Sequence, residues 1–438
     1  MQPRCPLART LGLLFALALP AAASAIQLDY LVELGLEHND NVNLSEDDPA
    51  SENILEPMLG FNVKQDGSTI QARADGVLQY RDYLGGEFSN EFRGQLASHL
   101  NWTMVPERLN LTVEDFLGVQ PINQLEPNAP SNQQQTNVFA IGPTLGFRIG
   151  PTVRGQAELR YIDSYAEKTK EFNSQRLNGA LRAIKDLSAT STLSANLVDE
   201  RIDFTERDAG PDYSRYSLFG RYTRNWTRID LIADFGYSWL SYTGGLVDDR
   251  NDPLGRATVA WRVSERSTLT ADAAYQFSDA ASGMLDTVIG TEIPTSITTG
   301  DATTTSQAYL ERRLGLGYTY RGERVNFGVS PFYRKLDYAN TNTVGDIALD
   351  QTGKGAFANV SYLLRPLVTI GLTATGQNLR YDLLAREDKT WTIAAFLRQQ
   401  WTRNWSWRAE ISHYKRDSNT PGQSSDQNIV YFGITYTR

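Results

Sequence analysis

Apolar and polar residues alternate with a period of two in run after run of this chain, a pattern that fits strands with two unlike faces. In one run Ile70, Ala72, Ala74, Leu78 and Tyr80 alternate with Gln71, Arg73, Asp75, Gln79 and Arg81. In the next, Phe92, Leu96, Leu100 and Trp102 oppose Glu91, Arg93, Gln95 and His99. Val153, Ala157, Leu159 and Tyr161 oppose Arg154, Glu158 and Arg160. Leu231 and Phe235 share one face of a further run, with Asp230 and Asp234 on the other. Leu269, Ala271, Ala273, Tyr275 and Phe277 oppose Thr270, Asp272 and Gln276. These runs outlast an ordinary globular strand of about five or six residues. They match the roughly 9–11 residues that a tilted strand needs to cross the hydrocarbon of a bilayer. One face would then meet lipid and the other a water-filled lumen.

The connections carry a second rhythm. Short turns fall at 66–68, 105–107, 150–151, 185–187, 224–227, 264–267, 321–323, 365–366 and 401–405. Longer polar segments lie between them, at 39–51, 84–87, 120–135, 166–172, 203–212, 244–253, 280–305, 340–350, 383–388 and 418–426. Transmembrane barrels show this asymmetry, with short periplasmic turns and longer extracellular loops. The expected fold is all-β, a single antiparallel transmembrane barrel over residues 26–438 with about 20 strands, 18 being the alternative count. Tryptophan checks the register independently. Trp102, Trp226, Trp261, Trp401, Trp405 and Trp407 stand at or beside short turns, whereas Trp239 lies towards a long loop with Tyr161, Tyr237 and Tyr381. Amphipathic rings collect at both membrane interfaces, while a soluble sandwich would want them mid-strand.

The first 25 residues read as a cleavable export signal: Arg4 and Arg9, an apolar core from Leu11 to Leu19, then Ala23-Ser24-Ala25. Beyond it no apolar run approaches the about 18 residues of a membrane helix. The single cysteine, Cys5, falls inside the signal, so disulfides, thiolate metal sites and a thiol nucleophile are not expected. A net charge of −9 without any Lys/Arg block speaks against a nucleic-acid partner. Three histidines make a poor metal site, and no cofactor is expected.

After Tyr30–Leu36 comes the segment Glu37-His38-Asn39-Asp40-Asn41-Val42-Asn43-Leu44-Ser45. It resembles the N-terminal hallmark of the β-barrel porin type 2 family of Gram-negative outer membranes. The resemblance implies an outer-membrane barrel, delivered by the barrel assembly machinery, often associated with exopolysaccharide export components. It supplies no catalytic residues. One departure is the C-terminus, where Thr437-Arg438 follows Tyr436 in place of a terminal aromatic residue.

Asp40, Asn41 and the acidic run Glu46-Asp47-Asp48 could ligate calcium, but the spacing lacks the glycine and closing glutamate of a helix-loop-helix site. A solvated loop bridged to lipopolysaccharide by divalent ions is the plainer reading. His38, His99 and His413 belong to no recognisable nucleophile pattern, so an outer-membrane hydrolase ranks last among the functions. The remaining candidate site is the lumen face. Its basic members are Arg73, Arg81, Arg93, Arg154, Arg160, Arg182, Arg215 and Arg221. Its acidic members are Asp75, Glu91, Glu158, Asp230, Asp234, Asp272 and Glu410. Interleaved signs suit passage of hydroxyl-rich solutes better than ion selection, and suit a structural salt-bridge network equally well. The leading expectation is a porin-like channel for exopolysaccharide or small polar solutes. The alternative is an interaction or assembly-platform barrel with a plugged lumen. The 280–305 segment, the longest connection, either stays a disordered surface loop or folds inward to narrow the pore through Met284, Leu285, Val288, Ile289, Ile293 and Ile297.

Overall fold

Twenty strands account for most of the described residues. The computed structural model describes residues 26–206, 209–245, 247–286, 296, 304–338 and 349–438. The expected signal, Cys5 and most of the 287–303 stretch lie outside the described residues. The first strands are β1 (Gln27–Asn39), β2 (Glu52–Asp66), β3 (Ile70–Tyr83), β4 (Glu91–Val105) and β5 (Leu109–Pro121). Next come β6 (Gln133–Arg148), β7 (Val153–Ala166), β8 (Ser174–Ser188), β9 (Ser191–Phe204) and β10 (Tyr213–Asn225). The second half opens with β11 (Ile229–Tyr242), β12 (Arg250–Arg262) and β13 (Ser267–Ser278), followed by the short helix α1 (Ala280–Leu285). It continues through β14 (Tyr309–Arg321), β15 (Val325–Tyr338), β16 (Gln351–Arg365) and β17 (Val368–Tyr381). The last three are β18 (Arg386–Gln400), β19 (Trp405–Ser418) and β20 (Ser425–Thr437).

Each strand pairs antiparallel with its neighbours in sequence, and β1 pairs with β20, so the sheet is a closed 20-stranded barrel. Closure leaves no edge, which is the condition for a sheet to sit in hydrocarbon with every backbone group paired. Short connections gather at one end, such as 366–367 between β16 and β17, and the start of β1 and the end of β20 lie there too. The Tyr30 and Arg438 backbones exchange N–H···O bonds of 3.2 and 2.9 Å at that end. The opposite end holds the long connections. Turn and loop positions match the sequence reading to within a few residues, the largest shift being the turn expected at 185–187, which lies at 189–190 because β8 runs on to Ser188.

The alternation becomes an outer and an inner face. On β1, Val32, Leu34 and Leu36 are exposed, while Leu31, Glu33 and Glu37 are buried. Phe235 on β11 is 79% exposed and Asp234 beside it only 5%. This is a soluble protein's pattern reversed: apolar side chains outward, polar ones packed within. Trp226, Trp261, Trp401 and Trp405 stand exposed at the short-turn end and Tyr161, Tyr237 and Trp239 near the other, giving two aromatic belts.

The segment that carried the family resemblance clasps the closing seam. Asp40 accepts from the Asn428 amide and side chain at 2.6 and 2.7 Å. Asn41 donates to the Asp426 and Ser45 carbonyls at 2.8 and 2.9 Å. These polar side chains tie β1 to β20. Among the described residues no group of three or more His, Cys, Asp or Glu could hold a metal ion.

One local departure from the alternation matters for the lumen. The β12–β13 ladder runs only from Arg262↔Thr268 to Gly255↔Tyr275. Above it β13 leaves β12, and Phe277 packs with Tyr213, Leu240 and Ile202 of the inner face instead of continuing the outward series. The chain then turns into the barrel as α1.

Candidate functional site

Two pieces of chain enter the lumen from the long-loop end. The first is α1, whose Ala280, Ala281 and Met284 pack against Phe116, Val138, Ala140 and Ile162 on β5–β7. Asp279 caps it, accepting from the Ser282 amide at 3.1 Å. The same carboxylate takes Arg176 of β8 at 2.7 Å, with both side chains almost wholly buried. Arg215 of β10 lies 3.9 Å away. Burial pushes the Asp279 carboxyl up, but the Arg176 and Arg215 charges and the Ser282 amide outweigh it and hold it at about 2. So the described start of the long 280–305 connection does fold inward, through Met284 and Leu285. Val288, Ile289, Ile293 and Ile297 lie outside the described residues.

The second piece is the 122–132 connection between β5 and β6, a strap across the lumen. Asn132, buried at its base, donates to the Asn123 and Pro127 carbonyls at 2.8 and 3.1 Å and so holds the loop's shape. At its tip the backbone meets strands from the far part of the ring. Tyr381 of β17 donates to the Gln124 carbonyl at 3.2 Å. Arg386 of β18 and Arg416 of β19 both donate to the Leu125 carbonyl, Arg416 at 3.1 Å. Asp388 holds both guanidiniums, at 3.0 and 2.8 Å. The sequence shows only a polar loop here, because the latch residues lie more than 250 positions downstream.

Below α1 the wall from β5 to β12 carries most of the charges read from the sequence, and the structure brings them together in pairs. Arg160 reaches Glu114 and Glu158 at 2.5 Å, and Arg182 reaches Glu158 at 2.5 Å. Arg215 bonds Glu200. Arg221 grips Asp234 at 2.7 and 2.8 Å, and Arg256 reaches the same carboxylate at 2.7 Å. All of these except Asp234 border a polar cavity of about 400 Å³ that Ser282, Leu285 and Asp286 roof. On β1–β4, Arg81 joins Glu37 and Glu56 at 3.2 and 3.3 Å, and Arg93 joins Glu91 at 2.5 Å. Asp272 meets Arg313 at 3.0 Å. Nearer the short turns the pairs are exposed: Arg73–Asp66, Arg154–Asp186 and Asp230–Arg262. Asp75 shares the inner face of β3 with Arg73, and Glu410 of β19 stands opposite Tyr431 of β20. Glu33, Glu37, Glu56, Glu114, Glu200 and Arg256 were missed, since each gains its meaning only from a partner on another strand. The histidines are dispersed, His99 pairing Glu114 at 3.0 Å while His38 and His413 bond Asn53 and Asn428.

No protein-family model matches the chain. No curated protein matches it either. Among solved structures it is similar to the FrpB iron transporter from Neisseria meningitidis, F3-3 variant, at 9% identity and a TM-score of 0.46 over 94% of this chain and 81% of that one. It is similar to a mutant of the ferric enterobactin receptor PfeA from Pseudomonas aeruginosa, at 11% identity and a TM-score of 0.46 over 94% and 80%. The copper transporter OprC gives 11% identity and a TM-score of 0.44 over 94% and 80%.

Proposed function

We propose that the chain is an outer-membrane channel of a Gram-negative bacterium, passing polar, hydroxyl-rich solutes through a lumen narrowed by the strap and α1. The carrying observation is the strap latch, where Arg416 of β19 donates to the Leu125 carbonyl across the barrel. A barrel of 16–18 strands already leaves an aqueous channel. At 20 strands, passage is then set by what enters the lumen, and a loop tied by a few hydrogen bonds is a release point. The charges support this reading by being paired: a wall of neutralised Arg–Glu and Arg–Asp contacts offers hydrogen bonds without a strong field. Partnership with an exopolysaccharide export system, and delivery by the assembly machinery, belong to the same proposal.

Reconstitution in planar lipid bilayers tests it. The folded, heat-modifiable protein gives discrete ion currents, and deleting 123–131 with a two-glycine bridge enlarges them. If both proteins are ion-tight, the plugged interaction barrel replaces the channel.

A further inference from the structure

The inner wall is not uniform. Opposite the charged β5–β12 wall, three consecutive strands present an uncharged inner face. On β15 it reads Asn326, Gly328, Ser330 and Phe332, alternating with the exposed Phe327 and Val329 of the outer face. On β16 it is Gly353, Gly355, Phe357, Asn359 and Ser361, alternating with the exposed Val360 and Tyr362. On β17 it is Gly371, Thr373, Thr375, Gln377 and Leu379, alternating with Ile370 and Leu372. Between Arg334 and the short turns no side chain on this face carries a charge. Small residues recess the wall, and the result is a lane.

Aromatic rings floor the lane at descending heights. Phe332 lies over Gly355, where an added Cβ would come 3.0 Å from the ring. Phe357, two residues further down β16, is 43% exposed although its face is the inner one. Phe396 of β18 lies over Gly371, where a Cβ would come 2.3 Å from the ring. Gly371 is four residues below Thr375, the partner of Phe357, a drop of about 13 Å at the strand rise. An exposed phenylalanine inside a polar lumen forfeits hydrophobic stabilisation unless something apolar passes over it.

The lane is headed by a pocket of about 140 Å³ beneath the strap, roofed by Gln124 and walled by Phe332, Gln351, Gln377 and Leu379. At roughly 30 Å³ per water it holds about five waters, the size of one sugar ring. Gln351 is 5% exposed, and its Oε1 has no hydrogen-bond partner among the described residues. A buried acceptor left open is costly, and a hydroxyl donor would relieve it. The one charge at the pocket, Arg334, is already committed to Glu311 at 3.2 Å.

The geometry points to the β15–β17 lane and its pocket as a binding track for an uncharged carbohydrate, with rings stacking on its C–H faces and Gln351 taking a hydroxyl. This deepens the channel reading and rests on it. Acidic polymers gain nothing on an uncharged wall, and ions have no reason to prefer it.

Maltohexaose and a galacturonate hexamer are compared as blockers of single-channel current through the full barrel with its strap in place. The neutral hexamer blocks at least tenfold more tightly than the acidic one. Gln351→Ala and Phe357→Ala each weaken its block about tenfold, while Leu372→Ala on the lipid side of β17 leaves it unchanged. Heat-modifiable migration verifies that each variant is folded. Current without maltohexaose block, or block equal in all variants, overturns the lane and leaves the channel standing. Tighter block by the acidic hexamer assigns the track to the charged wall instead. Absence of any current overturns the channel itself, and the lane with it.

Discussion

Arg416 on β19 donates to the backbone carbonyl of Leu125, 3.1 Å away and 291 residues earlier in the chain. A contact between such distant strands can form only inside a closed barrel, with the loop lying across its bore. The guanidinium is 6% exposed and shares Asp388 with Arg386, so the latch is a buried, charge-assisted unit.

The latch predicts a graded opening. Arg416→Ala leaves Arg386 on both Asp388 and Leu125, and should raise mean single-channel conductance modestly. Adding Tyr381→Phe removes the hydroxyl donor to Gln124 and should raise it further, while Arg386 and Arg416 together should match strap deletion. Equal conductance in all of them would show that the loop does not limit flow.

The α1 dock should be insensitive to pH until strongly acid conditions. Asp279 is held at about 2 against an ordinary 3.8, because Arg176, Arg215 and the Ser282 amide outweigh the upward push of burial. A lowered folded pKa contributes stability that is complete above the ordinary value and disappears as pH falls towards the folded one. Conductance is therefore expected to stay flat from pH 7 to about 4 and to rise between about 4 and 2. Asp279→Asn leaves Arg176 buried without its counter-charge, a loss of about 3–5 kcal/mol that should undock α1 at every pH. A rise centred near pH 6 would point to another group.

Strand count, turn positions and facing were legible because each rests on local rules: period two, turn residues and interfacial tryptophan. The interior was legible only in part. Arg160, Arg182 and Arg221 announce themselves as polar residues at inward positions, but Glu114, Glu158 and Asp234 become their partners through register set by nine tight turns. The strap was invisible, since nothing in 120–135 distinguishes a loop that dives from one that stands in solvent. Phe277 misled the alternation for a similar reason: β13 detaches from β12 above Tyr275, and pairing, not sequence, decides where a strand ends.

The two faces of β11 should respond oppositely to charge. Phe235→Arg, at mid-strand on the lipid side of β11, costs roughly 2–4 kcal/mol of barrel stability. Asp230→Asn touches only an exposed pair with Arg262 and should cost less than about 1 kcal/mol. Asp234→Asn is the harsher inner change, since Arg221 and Arg256 both depend on that carboxylate, and about 1–3 kcal/mol is expected. Urea unfolding in detergent micelles ranks the three, and equal effects of Phe235→Arg and Asp230→Asn would disprove the facing.

Closure of the barrel concentrates on Glu33. It is 2% exposed and accepts from Tyr431 at 2.5 Å, Thr435 at 2.5 Å and Arg408 at 3.1 Å, so three side chains of β19 and β20 converge on one carboxylate of β1. Tyr431 reaches it across Gly35, where an added Cβ would lie 2.2 Å from the phenol oxygen, so only glycine lets the ring pass. Glu33→Ala removes the shared acceptor of Tyr431, Thr435 and Arg408, a penalty of about 1–3 kcal/mol placed on the ladder that joins β1 to β20. Gly35→Val should act on the same ladder by displacing the ring while leaving every charge in place. Both variants should convert from the compact to the unfolded gel band at a temperature well below that of the unaltered barrel, and Glu33→Gln, which keeps an acceptor, should fall between. If all three convert with the unaltered protein, the seam is held by its backbone ladder and the Glu33 cluster is incidental to closure.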